Sequence, residues 1–453
     1  MKELTFFEYS GYQDSTGNEA DSLASTMMNL DEIQYLRSVS ENLIPGKSIF
    51  EISSTKIRAT SMVGVISFGG VQIEILPKLL KNNYSQQKES NSSILKNLMF
   101  ILSFTNVLEI NDVGIASLSQ NCDSFIEAYI SIFAQRLSRH LIRFGTPKAY
   151  VEKSENLNTM RGKISFAKHS SLNTFDQSHI FCDYAEFTDD NSLSKALKFV
   201  AQVLCHLTSN PSNLSSLNRC VGLLDGVQAS FVTSEELDRL TTGRREPNFV
   251  ALVNLTKMFL KHLRPEFAGH KKNKVFAILF DMNELFEEFI YQVLKKNESS
   301  LSIQVTAQKR KRLVSEEKDF LNGEKWVRRN LFDTYTDILV KPQNGPELII
   351  DTKYKIVHSQ KSHYGISNQD AYQVLAYRQI HKTEVSEPSV ALLYPKSSED
   401  IKKEFRINGS SSTFMAWTID ISRDLKSDMP SLVEELKKLI QKSETNTAED
   451  VLR

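Results

Sequence analysis

The sequence predicts an α/β protein with a β-rich N-terminal domain, a helical middle region and a C-terminal α/β domain on a mixed sheet. Three observations predict it. Two β-rich arms flank Gly69-Gly70, apolar residues recur every fourth position from Phe125, and strand-like and helical runs alternate beyond residue 275. The 453 residues suffice for two or three domains at roughly 100–200 residues each. The boundaries expected are 1–115, 116–270 and 275–440, with a polar tail at 441–453.

The N-terminal part reads as strands. Val63–Phe68 leads into Gly69-Gly70, and in the next arm Val71, Ile73 and Ile75 alternate with Gln72 and Glu74. Glycine accepts the positive φ of a tight turn, so this is a hairpin signal. Residues 81–93 are polar and read as a loop.

From about 93 to 270 the pattern is helical. Phe125, Tyr129, Phe133, Leu137 and Leu141 share one helix face, and Gly145 follows as a C-cap. Asn191 caps a helix carrying Leu193, Leu197, Val200 and Leu204. Such stripes are core far more often than ligand sites. After 275 come a helix over 283–294, a strand–turn–strand over 331–357, a helix over 368–381, strands at 390–394 and 414–421, and an amphipathic helix near 431–441.

Composition narrows the function classes. Fifty-five basic and 55 acidic residues give no net charge, which argues against coating nucleic acid by bulk charge. Lys309-Arg310-Lys311-Arg312 is a local exception, readable as part of a basic groove or as a solvated loop. Cys122, Cys182, Cys205 and Cys220 form no C-x-x-C pair, so they read as reduced thiols, not metal ligands. No signal segment or membrane span is legible, and a cytoplasmic location is expected.

The chemistry concentrates in Tyr335–Lys355. Two strand-like runs, Asp337–Val340 and Leu348–Lys355, flank a turn with Asn344-Gly345 and two prolines. A hairpin symmetric about Asn344 sets Asp337 opposite Asp351, and Lys353 shares that face because side chains alternate. A one-residue slip removes Asp337, and the sequence leaves the register open. Paired carboxylates repel, and a hard divalent cation relieves that repulsion through oxygen ligation. Such a cation polarises a phosphodiester, while a nearby lysine orients water or, with a lowered pKa, takes its proton. Alone, Asp351-Thr-Lys353 is far more often a salt-bridged surface strand; the apolar Leu348–Ile350 before it and Asp337 at the matching distance favour a site. Gln373 and Tyr377 lie one turn apart on a helix. Glu287 or Glu288, on the preceding helix, is placed to complete a metal shell. Pro45-Gly46-Lys47-Ser48 resembles the end of a P-loop, but Glu41 stands where its first glycine belongs, so this chain is expected to bind no nucleotide tightly.

Several stretches, in order over about 55–420, resemble the McrC family, the nuclease subunits of McrBC modification-dependent restriction systems. They are Val63–Lys78, Met160–Ile164, Tyr184–Asn191 with Leu193, Phe280–Phe289, Asp351–Lys355 and Asp370–Tyr377. The resemblance implies a PD-(D/E)xK restriction-endonuclease-like domain with Asp337, Asp351 and Lys353 at its catalytic positions. Gln373 and Tyr377 then match the Q-x-x-x-Y element of RecB-like members, and Glu287 the helix glutamate. Thr336 stands where the motif has proline. Asp337, Asp351 and Glu287 would ligate Mg²⁺, for which Mn²⁺ can substitute.

The implied partners are double-stranded DNA and an McrB-like hexameric AAA+ GTPase, which binds the GTP and is engaged through the N-terminal region. The function expected is an Mg²⁺-dependent DNA endonuclease subunit of an anti-phage restriction system that stimulates its GTPase. A nuclease-inactive adaptor of a AAA+ ring and a stand-alone RecB-like repair nuclease are the alternatives. The three catalytic residue types disfavour the first, and the large N-terminal half the second.

Overall fold

Most of these elements form in the computed structural model, which describes residues 2–449 apart from 11, 14–27, 45, 54–56, 79–88, 106–124, 176–177, 234, 238–246, 265–274, 319–325, 344, 384–386, 398 and 411. In chain order the strands are β1 (Lys2–Phe7), β2 (Tyr12–Gln13), β3 (Phe50–Ile52), β4 (Ile57–Ala59), β5 (Met62–Phe68), β6 (Val71–Leu76), β7 (Ala149–Leu157), β8 (Lys163–Ile164), β9 (Ile180–Thr188), β10 (Leu263–Arg264) and β11 (Val275–Asp281). Then come β12 (Ile303–Lys318), β13 (Trp326–Pro342), β14 (Leu348–Thr352), β15 (Ser389–Pro395), β16 (Lys402–Arg406) and β17 (Thr413–Ile419). The helices are α1 (Leu30–Asn42), α2 (Glu89–Phe104), α3 (Phe125–Phe144), α4 (Phe166–Leu172), α5 (Ser192–Leu207), α6 (Pro211–Leu223), α7 (Pro247–His262), α8 (Met282–Lys296), α9 (Glu298–Leu301), α10 (Asn368–His381) and α11 (Met429–Glu449).

The chain forms two compact units that do not follow its linear order. One comprises Val65–Gln72 and Leu108–Ile278, the other Lys2–Gly64, Ile73–Val107 and Leu279–Arg453.

In the first unit, the turn between β5 and β6 has positive φ at both Gly69 (54°) and Gly70 (83°), as the hairpin reading requires. Tyr129, Phe133, Leu137 and Leu141 of α3 are buried, and Gly145 ends the helix with φ 75°. The Asn191 side chain accepts from Ser194 N and caps α5. The expected all-helical middle region fails over 149–188, where β7, β9 and β8 form an antiparallel sheet. Strand β7 is mostly polar and β9 carries apolar residues on both faces, so neither shows a clean apolar–polar alternation. Cross-strand polar pairs hold them instead: Tyr184 Oη donates to Glu155 at 2.6 Å, and Lys153 pairs with Glu186 at 2.6 Å. Gly162 (φ 69°) is required here, since a Cβ would lie 2.5 Å from Asp183 O. That close approach lays Arg161 over the Tyr184 ring at 4.4 Å, so the stretches 160–164 and 184–191 form one packed piece.

The second unit holds a six-stranded mixed sheet in the order β12-β13-β14-β15-β17-β16. Strands β12, β13 and β14 are antiparallel neighbours; β14–β15 and β15–β17 are parallel; β16 closes the far edge antiparallel to β17. Helix α8 packs on β12–β14, and α10 on β14 and β15. Every residue of β14 is buried, which fits a strand covered on both faces. Leu339, Ile349, Val374, Tyr377, Val390 and Leu392 form one core cluster.

Three local expectations change. The basic run Lys309–Arg312 is strand, not loop: it pairs with Asp333–Thr336 across a ladder that sequence periodicity does not signal. Helix α2 begins at Glu89, inside the stretch read as loop; residues 81–88 lie outside the described residues. Helix α11 continues to Glu449, because no glycine or proline interrupts it between 441 and 449. Among the described residues no helix is long and apolar enough to cross a membrane.

Candidate active site

The register of the β13–β14 hairpin decides whether a site exists. The ladder pairs Val340 with Leu348, Leu339 with Ile349 and Ile338 with Ile350, which is symmetric about position 344. Asn344 itself lies outside the described residues. The next step of this register sets Asp337 against Asp351. Asp337 Oδ2 accepts from Thr352 N (2.8 Å) and Thr352 Oγ1 (3.1 Å), so its carboxylate is fixed on the neighbouring strand.

Strand β14 ends at Thr352. Lys353 N still donates to Leu393 O at 2.9 Å, and Lys355 N donates to Lys353 O at 2.8 Å, a tight turn centred on Tyr354. Lys353 Nζ reaches back to within 2.7 Å of Asp351 Oδ2, on the same face two residues earlier. Although that contact is close, neither Asp351 oxygen receives a well-directed hydrogen bond, and the residue is fully buried. Such an under-satisfied buried carboxylate is costly. Burial, then the charge of Asp337, pushes its pKa up to about 7. Burial also raises Asp337, against the opposing Thr352 N–H. Burial opposes the charge of Lys353, but Asp351 and Asp337 outweigh it and hold its pKa above the ordinary value. A raised pKa is the opposite of what a proton-accepting lysine needs.

Glu287, on α8, is the glutamate that bears on the site. Its pKa rises to about 7, chiefly through burial and then through Asp337. Its Oε1 accepts from Gln308 Nε2 at 3.3 Å, whereas Glu288 Oε1 accepts from Gln292 Nε2 at 2.8 Å, one turn along the same helix. Gln373 Nε2 donates to Tyr377 Oη at 2.7 Å, and burial raises the Tyr377 pKa with Asp351 and Asp337 adding to it. The helix carrying this pair is anchored by Lys355, whose Nζ lies 2.9 and 3.0 Å from the two Asp370 oxygens.

Asp337, Asp351, Lys353, Glu287, Gln373 and Tyr377 thus fall within one electrostatic neighbourhood. Among the described residues, however, no three carboxylate, histidine or cysteine groups gather tightly enough to hold a metal ion alone. Glu287 is turned to Gln308, and Asp337 to Thr352. Mg²⁺ needs only one or two carboxylates when waters and substrate phosphates complete its octahedron. The buried Asp351 oxygens without directed donors fit that requirement.

Sequence reasoning missed the supports. Gln308, between the paired Ala307 and Lys309, has a left-handed φ of 44°, and no motif marks it. Lys78 Nζ donates to Tyr354 O at 2.9 Å and sits over the Tyr354 and Tyr9 rings at 5.0 and 4.5 Å. The Tyr354 ring in turn meets Phe286, beside Glu287, at 5.8 Å. Buried Glu8 backs Lys78: its Oε2 accepts Lys78 N at 3.2 Å, and its Oε1 lies 3.6 Å from Lys78 Nζ. Burial pushes Glu8 up to about 8, against the opposing charge of Lys78. Lys47, from the P-loop-like stretch, pairs with Asp281 at 2.6 Å and Glu284 at 2.8 Å, at the start of α8. Two lysines from the first eighty residues therefore brace the elements that carry Glu287 and Lys353.

The family described as McrBC 5-methylcytosine restriction system component matches residues 57–395. Among solved structures, the chain is similar to one in the refined half-complex from the tetradecameric assembly of Thermococcus gammatolerans McrB AAA+ hexamers with bound McrC. That likeness has a TM-score of 0.68 at 18% identity and covers 97% of this chain and 100% of that one. A chain of the cryo-EM structure of the Thermococcus gammatolerans McrBC complex matches with a TM-score of 0.47 at 21% identity, over 66% of this chain and 88% of that one. No curated protein matches.

Proposed function

Because the chain belongs to the McrBC 5-methylcytosine restriction system component family, we propose that it is an Mg²⁺-dependent DNA endonuclease subunit with a PD-(D/E)xK-type site. One observation carries the reading: Asp351, fully buried and poorly satisfied, lies beside Asp337 and 2.7 Å from a charged lysine. Structural carboxylates are normally saturated with donors, so this arrangement suits a cation and an anionic substrate.

Asp351 and Asp337 would hold Mg²⁺, or Mn²⁺ in its place, with Glu287 of α8 as the third carboxylate, near enough for Asp337 to raise its pKa. The bound metal supplies Lewis acidity toward a phosphodiester. Thr352 fixes the Asp337 carboxylate, so little reorganisation is needed when substrate arrives. Lys353, held protonated by the two aspartates, stabilises negative charge developing on the scissile phosphate and orients the attacking water. Tyr377, oriented by Gln373, offers a hydroxyl to the DNA backbone.

The partner is an McrB-like AAA+ GTPase hexamer, which binds GTP and brings the duplex. This rests on the family and on the bound state named for the Thermococcus gammatolerans structure. The N-terminal residues engage the ring and stimulate its GTPase, and the protein works in the cytoplasm. Plasmid cleavage with Mg²⁺ and GTP, with and without the partner, tests the reading. Partner-dependent cutting that chelation abolishes supports it. Stimulated GTP hydrolysis without cleavage under any divalent metal would make the chain an adaptor. Degradation of DNA without partner or nucleotide would make it a stand-alone nuclease.

A further inference from the structure

Strands β12 and β13 are much longer than the sheet they edge. They have sixteen and seventeen residues, yet β14 pairs with β13 only at Ile338, Leu339 and Val340. Among the described residues, from Lys309 and Thr336 outward each strand has only the other as ladder partner, out to Lys318 and Trp326. At roughly 3.3 Å per residue, this ribbon extends about 30 Å. It is rooted at the site, because Asp337 directly follows Thr336.

Its side chains have a common character. Lys309, Arg310, Lys311, Arg312 and Arg328 lie on it against Asp333, Glu316 and Glu317. Asp333 is shared by two guanidinium groups: Arg310 at 2.6 Å and Arg312 at 3.7 Å, each about half exposed (55% and 46%). One carboxylate leaves that trio net positive, and exposed pairs of this kind exchange readily for another anion. Lys311 instead donates to Ile380 O at 3.2 Å and ties the ribbon base to α10. Between the basic side chains stand exposed Phe332 (70%) and Tyr335 (50%). Phe332 has φ 56°, a costly conformation for an aromatic residue. In a chain with no net charge, this is a local concentration of cation and aromatic surface.

We propose that this ribbon is a duplex-DNA arm: its arginines take backbone phosphates, its aromatic rings lie against the groove edge, and the duplex so held runs past Asp337 and Asp351. A two-stranded ribbon is the width the major groove admits. Phosphate contacts of this kind position a duplex without reading its sequence. The proposal rests on the endonuclease reading for its substrate, but binding and cutting can be measured apart.

The test compares full-length chains in complex with the partner GTPase, all in an Asp351→Asn background, on a labelled duplex of about 30 base pairs across a KCl series. The variant Arg310→Gln/Arg312→Gln/Arg328→Gln should bind about tenfold or more weakly at moderate salt. The slope of log K against log [KCl] should shrink by about 2–3, near 0.9 for each phosphate no longer neutralised. Phe332→Ala/Tyr335→Ala should weaken binding severalfold with the slope unchanged. Parental affinity and slope in the arginine variant would overturn the proposal. So would lost GTPase stimulation at parental DNA affinity, which would make the ribbon a protein-docking arm. If no protein cuts DNA under any metal yet the arginine variant still loses affinity and slope, the arm stands and the endonuclease reading falls.

Discussion

Two buried carboxylates, one in each compact unit, are treated in opposite ways. Glu127 of α3 is saturated: it accepts from Thr208 Oγ1 (2.7 Å), Ser209 N (2.6 Å), Ser209 Oγ (3.2 Å), Asn210 N (3.2 Å) and Asn213 Nδ2 (2.7 Å). Asp351 has a lysine beside it and no well-directed donor. The first ties the turn before α6 to α3 and leaves no acceptor capacity for a ligand. The second keeps its lone pairs for something else, at the expense of stability. Donor count, more than burial, separates the carboxylate tied into the fold from the one left open to a ligand.

The largest effect should come from removing the groups proposed to hold the metal and the phosphate. Asp351→Asn and Lys353→Ala should each cut the cleavage rate by about 10³-fold or more, on the order of 4 kcal/mol. The thermal midpoint of Asp351→Asn should stay level or rise, because a poorly satisfied buried charge is gone. A parent-like rate in Lys353→Ala would remove the catalytic assignment. Glu127→Ala should do the reverse. It orphans several donors and should destabilise the fold by about 3 kcal/mol in denaturant titrations, with cleavage per folded molecule unchanged.

Glu8 allows a pH test of the same contrast. Its folded pKa, about 8, lies above the ordinary 4.5. Below about 4.5 both folded and unfolded states are protonated. Between there and about 8 the folded state holds the extra proton, so stability falls as pH rises, by a few kcal/mol at most. Glu8→Gln should flatten that slope in thermal melts run across this range; an unchanged slope would show that Glu8 does not cause it. Lys78→Met should slow cleavage about tenfold with GTPase stimulation intact, and Lys78→Arg should recover part of it. Smallest of all, Gln308→Ala should cost about threefold. The acid limb of its pH–rate profile should move to higher pH, since the hydrogen bond from Gln308 holds the Glu287 pKa down.

How much of this was legible depended on distance along the chain. The hairpin was legible because both strands and their turn lie within twenty residues, and apolar Leu348–Ile350 marked the buried arm. Helices α3 and α5 were legible from period and caps. Strand β12 was not, because a Lys-Arg-Lys-Arg run has no alternation and its partner begins eight residues after its end. The sheet at 149–188 was hidden likewise, because β7 and β9 lack clean alternation and lie more than twenty residues apart. Lys78, Glu8 and Gln308 act across long separations, and no local pattern reports a lysine whose acceptor lies 276 positions away.

That separation sets an order in time. A ribosome adding about 5–20 residues per second takes roughly 15–55 s to pass from Lys78 to Tyr354. Until then the N-terminal segments of the second unit, Lys2–Gly64 and Ile73–Val107, have no sheet to brace. An unfinished chain therefore carries Lys47 and Lys78 before the elements they brace, and Asp351 and Lys353 arrive only with about the last quarter of the sequence.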